Sequence, residues 1–216
     1  MAFAVDLHTH TRHGSNCSYM EPSELMRQAR FVGLDAVCIT EHNAAWDEAG
    51  LRTLAKESPP LVFSGVEVST ELGDVLVFGA NGVLHGVGRA AELRAVVDRV
   101  GGVMIAAHPF RRFFVPGALP IVEKALANPL FGLVDAVEVF NGVGSRREQN
   151  FAMEVASRLS MPAVAGSDSH ALHTVGCCYT EFERPLATVR DLIRELRVGR
   201  LRALHPHLGL EFGRGP

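Results

Sequence analysis

The chain has 216 residues, of which 47% are hydrophobic and 21% charged, and a formal net charge of -3. This is enough for one domain with a sizeable core, and the lack of a basic surplus excludes a nucleic-acid coat or a membrane-surface binder. No apolar run is long enough for a bilayer span, and the start, Met1-Ala2-Phe3-Ala4-Val5-Asp6, lacks the features of a secretory leader. A cytoplasmic protein with no membrane partner is expected. The cysteines stand at 17, 38, 177 and 178. Adjacent Cys177 and Cys178 do not match CxxC spacing, so reduced thiols and no disulfide are expected.

In chain order, the first strand-like run is Val5-Asp6-Leu7, ending on His8-Thr9-His10. Glu21 to Phe31 reads as a helix, with Ser23 as its cap and Gly33 as its stop. Ala36 to Ile39 is a second apolar run and leads into Thr40-Glu41-His42. A weaker helix spans about Asp47 to Lys56, and Pro59-Pro60 breaks the chain. Leu61 to Val66 leads to Glu67. The gap from there to Val75-Leu76-Val77-Phe78 is too short for a helix, which predicts a hairpin. Leu93, Val96, Val97 and Val100 recur at helical spacing over Ala90 to Val100.

Val103 to Ala107 runs into His108. Arg111 to Leu130, with Pro116, Pro120 and Pro129 around one short helix, reads as a long loop over the site. Val134 to Phe140 is a strand and Arg146 to Leu159 a helix. Ala163 to Gly166 leads into Ser167-Asp168-Ser169-His170, and a last helix spans about Leu186 to Val198. One domain over 1–204 is expected, with a loosely ordered tail over 205–216.

Strand–helix repetition favours a parallel α/β architecture. Metal-capable side chains follow five separate strand-like runs. Parallel strands closed into a barrel bring such ends onto one rim, so the spread favours a TIM-like barrel over an open sheet, whose sites gather at one switch point. His8 and His10 alternate by two and leave one face of an extended segment. Glu67 and Asp168 offer oxygen, and His42, His108 and His170 more nitrogen. Such a mixed set suits Zn²⁺, Mn²⁺ or Fe²⁺, and two ions sharing a hydroxide would serve hydrolysis.

The segments DLHTHT (6–11), ITEHN (39–43), GVEVST (65–70), AAHPF (106–110), EVFN (138–141) and GSDSH (166–170), in this order and spacing, resemble the PHP family, named for polymerase and histidinol phosphatase. The resemblance runs from about Asp6 to about Phe182. It implies a distorted barrel of seven β/α units, two or three divalent metal ions, and phosphoester hydrolysis. It also implies that His8, His10, Glu67 and Asp168 hold the first metal, Glu67 and His108 share the second, and His42 and His170 hold the third.

Three positions depart from the family pattern. Asp74 stands where many relatives have histidine; as a harder ligand it shifts preference toward Mn²⁺ or Fe²⁺. Asn16 stands about where relatives place a His or Asp for the third metal, and nearby His13 is a substitute. Glu41 replaces the usual Asp, and its extra length suits orienting a ligand imidazole.

Asp168, His170, Glu67 and Glu41 are the expected catalytic residues. Arg12, Arg111 and Asn141 are the expected substrate contacts, with Arg112, Arg146 and Arg147 behind them, because phosphate needs cationic donors. The expected substrate is a small phosphorylated molecule, including a nucleotide or short RNA end, with no stable nucleic-acid complex. C–N bond hydrolysis on the same kind of metal barrel and a non-catalytic module are the alternatives. Trp46 reads as helix packing, His173 as a residue of the mouth, His85 as a loop residue, and His205 and His207 as solvent-exposed.

Overall fold

Short apolar runs alternating with capped helices give the chain order its rhythm. In the computed structural model, residues 2–213 are described apart from 58, 81–83, 85 and 115–120. His85, Pro116, Pro120 and the middle of the 111–130 loop lie outside them. In chain order the elements are β1 (Phe3–Thr9), α1 (Pro22–Phe31), β2 (Ala36–His42), α2 (Glu48–Leu54), β3 (Leu61–Thr70), β4 (Gly73–Phe78), α3 (Ala90–Val100) and β5 (Val103–Ala106). There follow α4 (Val122–Leu126), β6 (Ala136–Asn141), α5 (Arg146–Leu159), β7 (Ala163–Gly166), β8 (Tyr179–Phe182), α6 (Val189–Val198), β9 (Leu201–His205) and β10 (Leu210–Gly213). Among the described residues no helix is long and apolar enough to cross a membrane.

Helix starts follow local chemistry. Ser145 caps α5, accepting from Glu148 N–H, while the Glu148 carboxylate accepts from Ser145 N–H in return. Thr188 and Asp191 do the same for α6. For α1 the cap is Glu21, not Ser23: Glu24 reaches back to Glu21 N–H, and Pro22 suits the first helical position.

The described strands form one sheet in the order β10-β9-β8-β1-β2-β3-β4-β5-β6-β7. β1, β2 and β3 are parallel, as are β5, β6 and β7. β4 is antiparallel to both its neighbours, so the hairpin expected after Glu67 is present. The described strands thus depart from a regular β/α repeat, with one reversed strand inside the parallel run and three further strands beyond β1.

The sheet nearly closes on itself at β1. Its first half pairs with β8, from Phe3 opposite Phe182 to Val5 opposite Thr180. Its second half meets the chain leaving β7: Asp168 N–H donates to His8 O at 2.7 Å, and His10 N–H to Ser169 O at 2.9 Å. Thr180 Oγ1 fastens the same seam, accepting from Ala165 N–H at 2.8 Å and donating to Ala165 O at 2.9 Å. Val5, Leu7, Cys38, Phe63, Leu76, Ile105 and Val164 cluster inside the barrel against Leu192, Ile193 and Leu196 of α6. Leu25, Met26 and Ala29 of α1 pack with Val37 and Ile39 in a separate cluster that includes Trp46, which bears out the packing role.

Residues 205–213, expected to be loosely ordered, instead end β9 and form β10, paired from Leu210 opposite His205 to Gly213 opposite Arg202. His205 is 6% exposed, against the expectation of a solvated side chain, and sits edge-on to the Phe140 ring. His207 is exposed. Burial and then the neighbouring His207 lower the His205 pKa. As pH falls below the ordinary histidine value, the unfolded chain takes up a proton that the folded chain resists. This group's contribution is thus whole above that value and lost as pH falls through the depressed one. His205→Phe is expected to lose less stability than the parent between about pH 7.5 and about pH 5.5, read from urea midpoints. Equal losses in both proteins would contradict this.

Candidate metal centre

Because β1, β2, β3, β5, β6 and β7 share one direction, their C-terminal ends share one rim. His8 lies near the end of β1, with His10 just after it. His42 ends β2, and Glu67 lies in the outgoing half of β3. Reversed β4 starts where its neighbours end, which brings Asp74 to the same rim. His108 follows β5, Glu138 lies in β6, and Asp168 and His170 follow β7. The register of β1 against β2 shifts between Asp6 and Thr9, an irregularity of the kind that re-aims side chains at sites. His108 and Asp168 hold positive φ angles of 29° and 53°. Such backbone is held only where the surroundings over-determine it.

The side chains converge on Glu67. His108 Nε2 stands 2.9 Å from its Oε1, and His42 Nδ1 stands 2.8 Å from its Oε2. His8 Nε2 and His10 Nε2 lie 3.5 and 3.4 Å from Oε2, and 3.0 Å from each other. Both also face Asp168 Oδ1, at 3.5 and 3.2 Å. Yet Glu67 Oε2 is buried without an aligned hydrogen bond. Ring nitrogens that point at one another and at an orphaned carboxylate oxygen fit a shared cation better than they fit hydrogen bonds. Ligand-capable atoms of His8, His10 and Asp168 lie within 4.8 Å of one another, as do those of Glu67, Asp74 and His108, and of His10, His42 and His170. His8, His108 and Glu138 form a further such group.

Charge balance sets the protonation. Burial alone raises the pKa of Glu67, but the charge of His8 and the contacts of His108 and His42 outweigh it and hold Glu67 well below the carboxylate range. Asp168 is lowered likewise, with His8, His10 and Arg111 overcoming burial. Burial lowers His10 to about 4. His8 is raised, because Asp168, Glu138 and Glu67 outweigh its burial.

A second ring of groups orients the imidazoles. His8 Nδ1 is 3.0 Å from Glu138 Oε1, which leaves Nε2 facing the cluster. Glu138 Oε2 accepts from His108 N–H at 2.8 Å and from Asn141 Nδ2 at 3.0 Å. His10 Nδ1 lies 3.2 Å from Ser15 Oγ, which donates to Glu41 Oε2 at 2.5 Å. Glu41 also accepts from Thr11 N–H and Trp46 Nε1, so it acts on His10 through Ser15 rather than facing the cluster. Gly166 makes room for His8: a Cβ there would stand 2.5 Å from His8 Cβ and 2.8 Å from His8 N.

Arg111 donates to both Asp168 Oδ2 and Asn141 Oδ1, so the expected pair Arg111 and Asn141 is at the site. Arg12 instead pairs with Glu21 at 2.7 Å, and its side chain is 61% exposed. Arg112 donates its N–H to Glu148, and Arg147 lies over the Phe114 ring. His13 rests on Trp46, 4.3 Å between ring centroids. His173 is exposed in a short helical turn after the site. A groove of 390 Å³ opens beside the cluster, lined by Gly73, Asp74, His108, Arg111, Arg112 and Asn128 among others. Sequence reasoning assigned no role to Glu138 or Ser15, although EVFN had been singled out; a carboxylate in a buried apolar run was the available signal.

The PHP-associated family model matches residues 146–201, from α5 to the first residue of β9. The uncharacterized protein MJ1587 of Methanocaldococcus jannaschii is 29% identical over 148 residues, which cover 63% of this chain and 81% of that protein. A two-domain protein of Bacteroides vulgatus containing a predicted PHP-like metal-dependent phosphoesterase has the same fold, with a TM-score of 0.73 and 17% identity over 94% of this chain and 65% of that one. Histidinol phosphate phosphatase of Lactococcus lactis, complexed with zinc, L-histidinol and phosphate, superposes with a TM-score of 0.52 at 16% identity, over 90% of this chain and 92% of that one. The chain thus shares its fold with PHP-like proteins and carries a PHP-associated segment over residues 146–201.

Proposed function

We propose that the protein is a metal-dependent phosphoesterase acting on a small phosphorylated substrate. The observation that carries this reading is the orphaned Glu67 oxygen ringed by His8, His10 and His42, with Arg111 on the same rim. The PHP-like relatives named for phosphoester hydrolysis support it. His8, His10, Glu67 and Asp168 would hold one ion, His108 and Asp74 would join Glu67 at a second, and His42 and His170 would line a third. When bound, such ions polarise a phosphoryl oxygen and lower the pKa of water.

The chain's own residues do the rest. Arg111, released from Asp168 toward a non-bridging phosphate oxygen, offers the planar donor pair that phosphate geometry matches. Asn141 holds the arginine's position on one side and Glu138 on the other. The groove beside His108 and Arg112 receives the remainder of the substrate, and its size suits a small phosphomonoester or a nucleotide. Four unpaired thiols suit a reducing, cytoplasmic compartment.

The test is hydrolysis of a phosphoester panel by metal-stripped protein refilled separately with Mn²⁺, Fe²⁺ and Zn²⁺. The panel holds an aryl phosphate, histidinol phosphate, 3′- and 5′-nucleotides and a nucleoside 3′,5′-bisphosphate. Metal-restored turnover that disappears in His10→Ala is the expected result. Absence of turnover with every ion, despite measured metal uptake, would overturn the reading.

A further inference from the structure

We infer that Cys17 is a thiolate ligand of the cation site lined by His42 and His170, an inference that rests on the metal-centre reading above. Cys17 Sγ lies 3.1 Å from His170 Nε2. His170 Nδ1 stands 2.9 Å from Asp168 O and donates its hydrogen there, so Nε2 is the nitrogen with a free lone pair, and it is the one facing the sulfur. His10 stacks between His42 and His170, with centroids 4.4 Å from each. Ligand-capable atoms of these three histidines lie within 4.8 Å of one another.

The second observation is Glu67 Oε2. It belongs to a side chain 3% exposed, lacks an aligned hydrogen bond, and points at His42 and His10 from within the cluster. The orphaned oxygen thus meets His42 from the inner side, and the thiol meets His170 from the outer side. Asn16, the neighbour expected at this position from the family pattern, and Cys17 are both exposed, and it is Cys17 whose side chain meets His170.

A neutral amide there would be a weak ligand, whereas a thiolate adds a full negative charge and a soft donor. That choice moves this site toward Zn²⁺, Co²⁺ or Fe²⁺ and away from Mn²⁺. On binding, the S–H bond breaks, the proton goes to solvent and the sulfur electron pair forms the bond to the cation. No oxidant or reductant is involved.

The experiment is a Co²⁺ titration of the metal-stripped full chain, with a reductant that contains no thiol. The wild type is expected to show a near-ultraviolet thiolate-to-cobalt absorption band. The band is expected to vanish in Cys17→Ser and in Cys17→Asp and to persist in Cys177→Ser. Cys17→Asp should still take up as many cobalt ions as the wild type, because oxygen replaces sulfur, which separates loss of the ligand from loss of the fold. A wild type that binds cobalt without the band, or a band that survives in Cys17→Ser, would overturn the inference. The phosphoesterase reading is judged by turnover and its loss in His10→Ala, so either can fail without the other.

Discussion

Glu67→Gln is expected to lose metal and turnover together. The carboxylate stands between His8, His10, His42 and His108, and among the described residues it is the one anion that touches all four. The amide is nearly isosteric, so the fold should be kept while the charge goes. One half of the amide would turn N–H donors toward ring nitrogens already crowded by each other. Changes in residues that merely orient ligands cost ten- to hundredfold. A carboxylate shared between neighbouring sites should cost more, on the order of 10³-fold or more in kcat/KM. Elemental analysis and steady-state rates check this. Full metal content with an unchanged kcat/KM would remove Glu67 from the chemistry.

Asp6→Ala is expected to be the most destabilising single change among the residues around the site. Asp6 is fully buried and accepts from Ser167 N–H at 2.8 Å, Gly176 N–H at 3.0 Å and His8 N–H at 3.3 Å. It thereby ties β1 to the chain on both sides of His170. Truncation strands buried donors, each worth about 1–3 kcal/mol, so a loss of about 3 kcal/mol is expected. Burial lifts its pKa from 3.8 to about 6 against the pull of those hydrogen bonds. Across that window the folded chain keeps a proton that the unfolded chain has released. This group therefore favours folding most at the acid end, and the advantage declines as pH rises to about 6. The penalty of the substitution should accordingly be larger near pH 5 than near pH 8, in urea unfolding. A loss below about 1 kcal/mol at both would contradict the role.

Much of the centre could be read before any coordinates, for a physical reason: a strand buried on both faces is an apolar run, and a polar residue at its end is conspicuous. His8, His10, His42, His108 and Asp168 all stand out in this way. Glu138 did not, because it lies between Val137 and Val139, where an alternating pattern equally suits a solvent-facing residue; its burial shows only when β5 and β7 flank it. Arg12 and Arg111 were equivalent as cations following ligands, and only the fold turns one to Glu21 and the other to Asp168. β8 escaped notice because Tyr179-Thr180-Glu181-Phe182 is short and mixed, and its pairing partner β1 lies at the far end of the chain. That Cys17 rather than Asn16 meets His170 is a one-residue matter of loop conformation, which spacing does not encode.

The seam at β1 also bears on how the protein comes to exist. During synthesis β1 meets two of its partners, the chain after β7 and the strand β8, only when nearly everything between has been made. Such distant pairings are entropically dear and slow to form. Until then His8 and His10 are exposed imidazoles on an unpaired edge, and Asp168 is absent from their surroundings. A complete cation site is therefore a late event in biogenesis, and metal retention reports a closed barrel rather than a partly folded one.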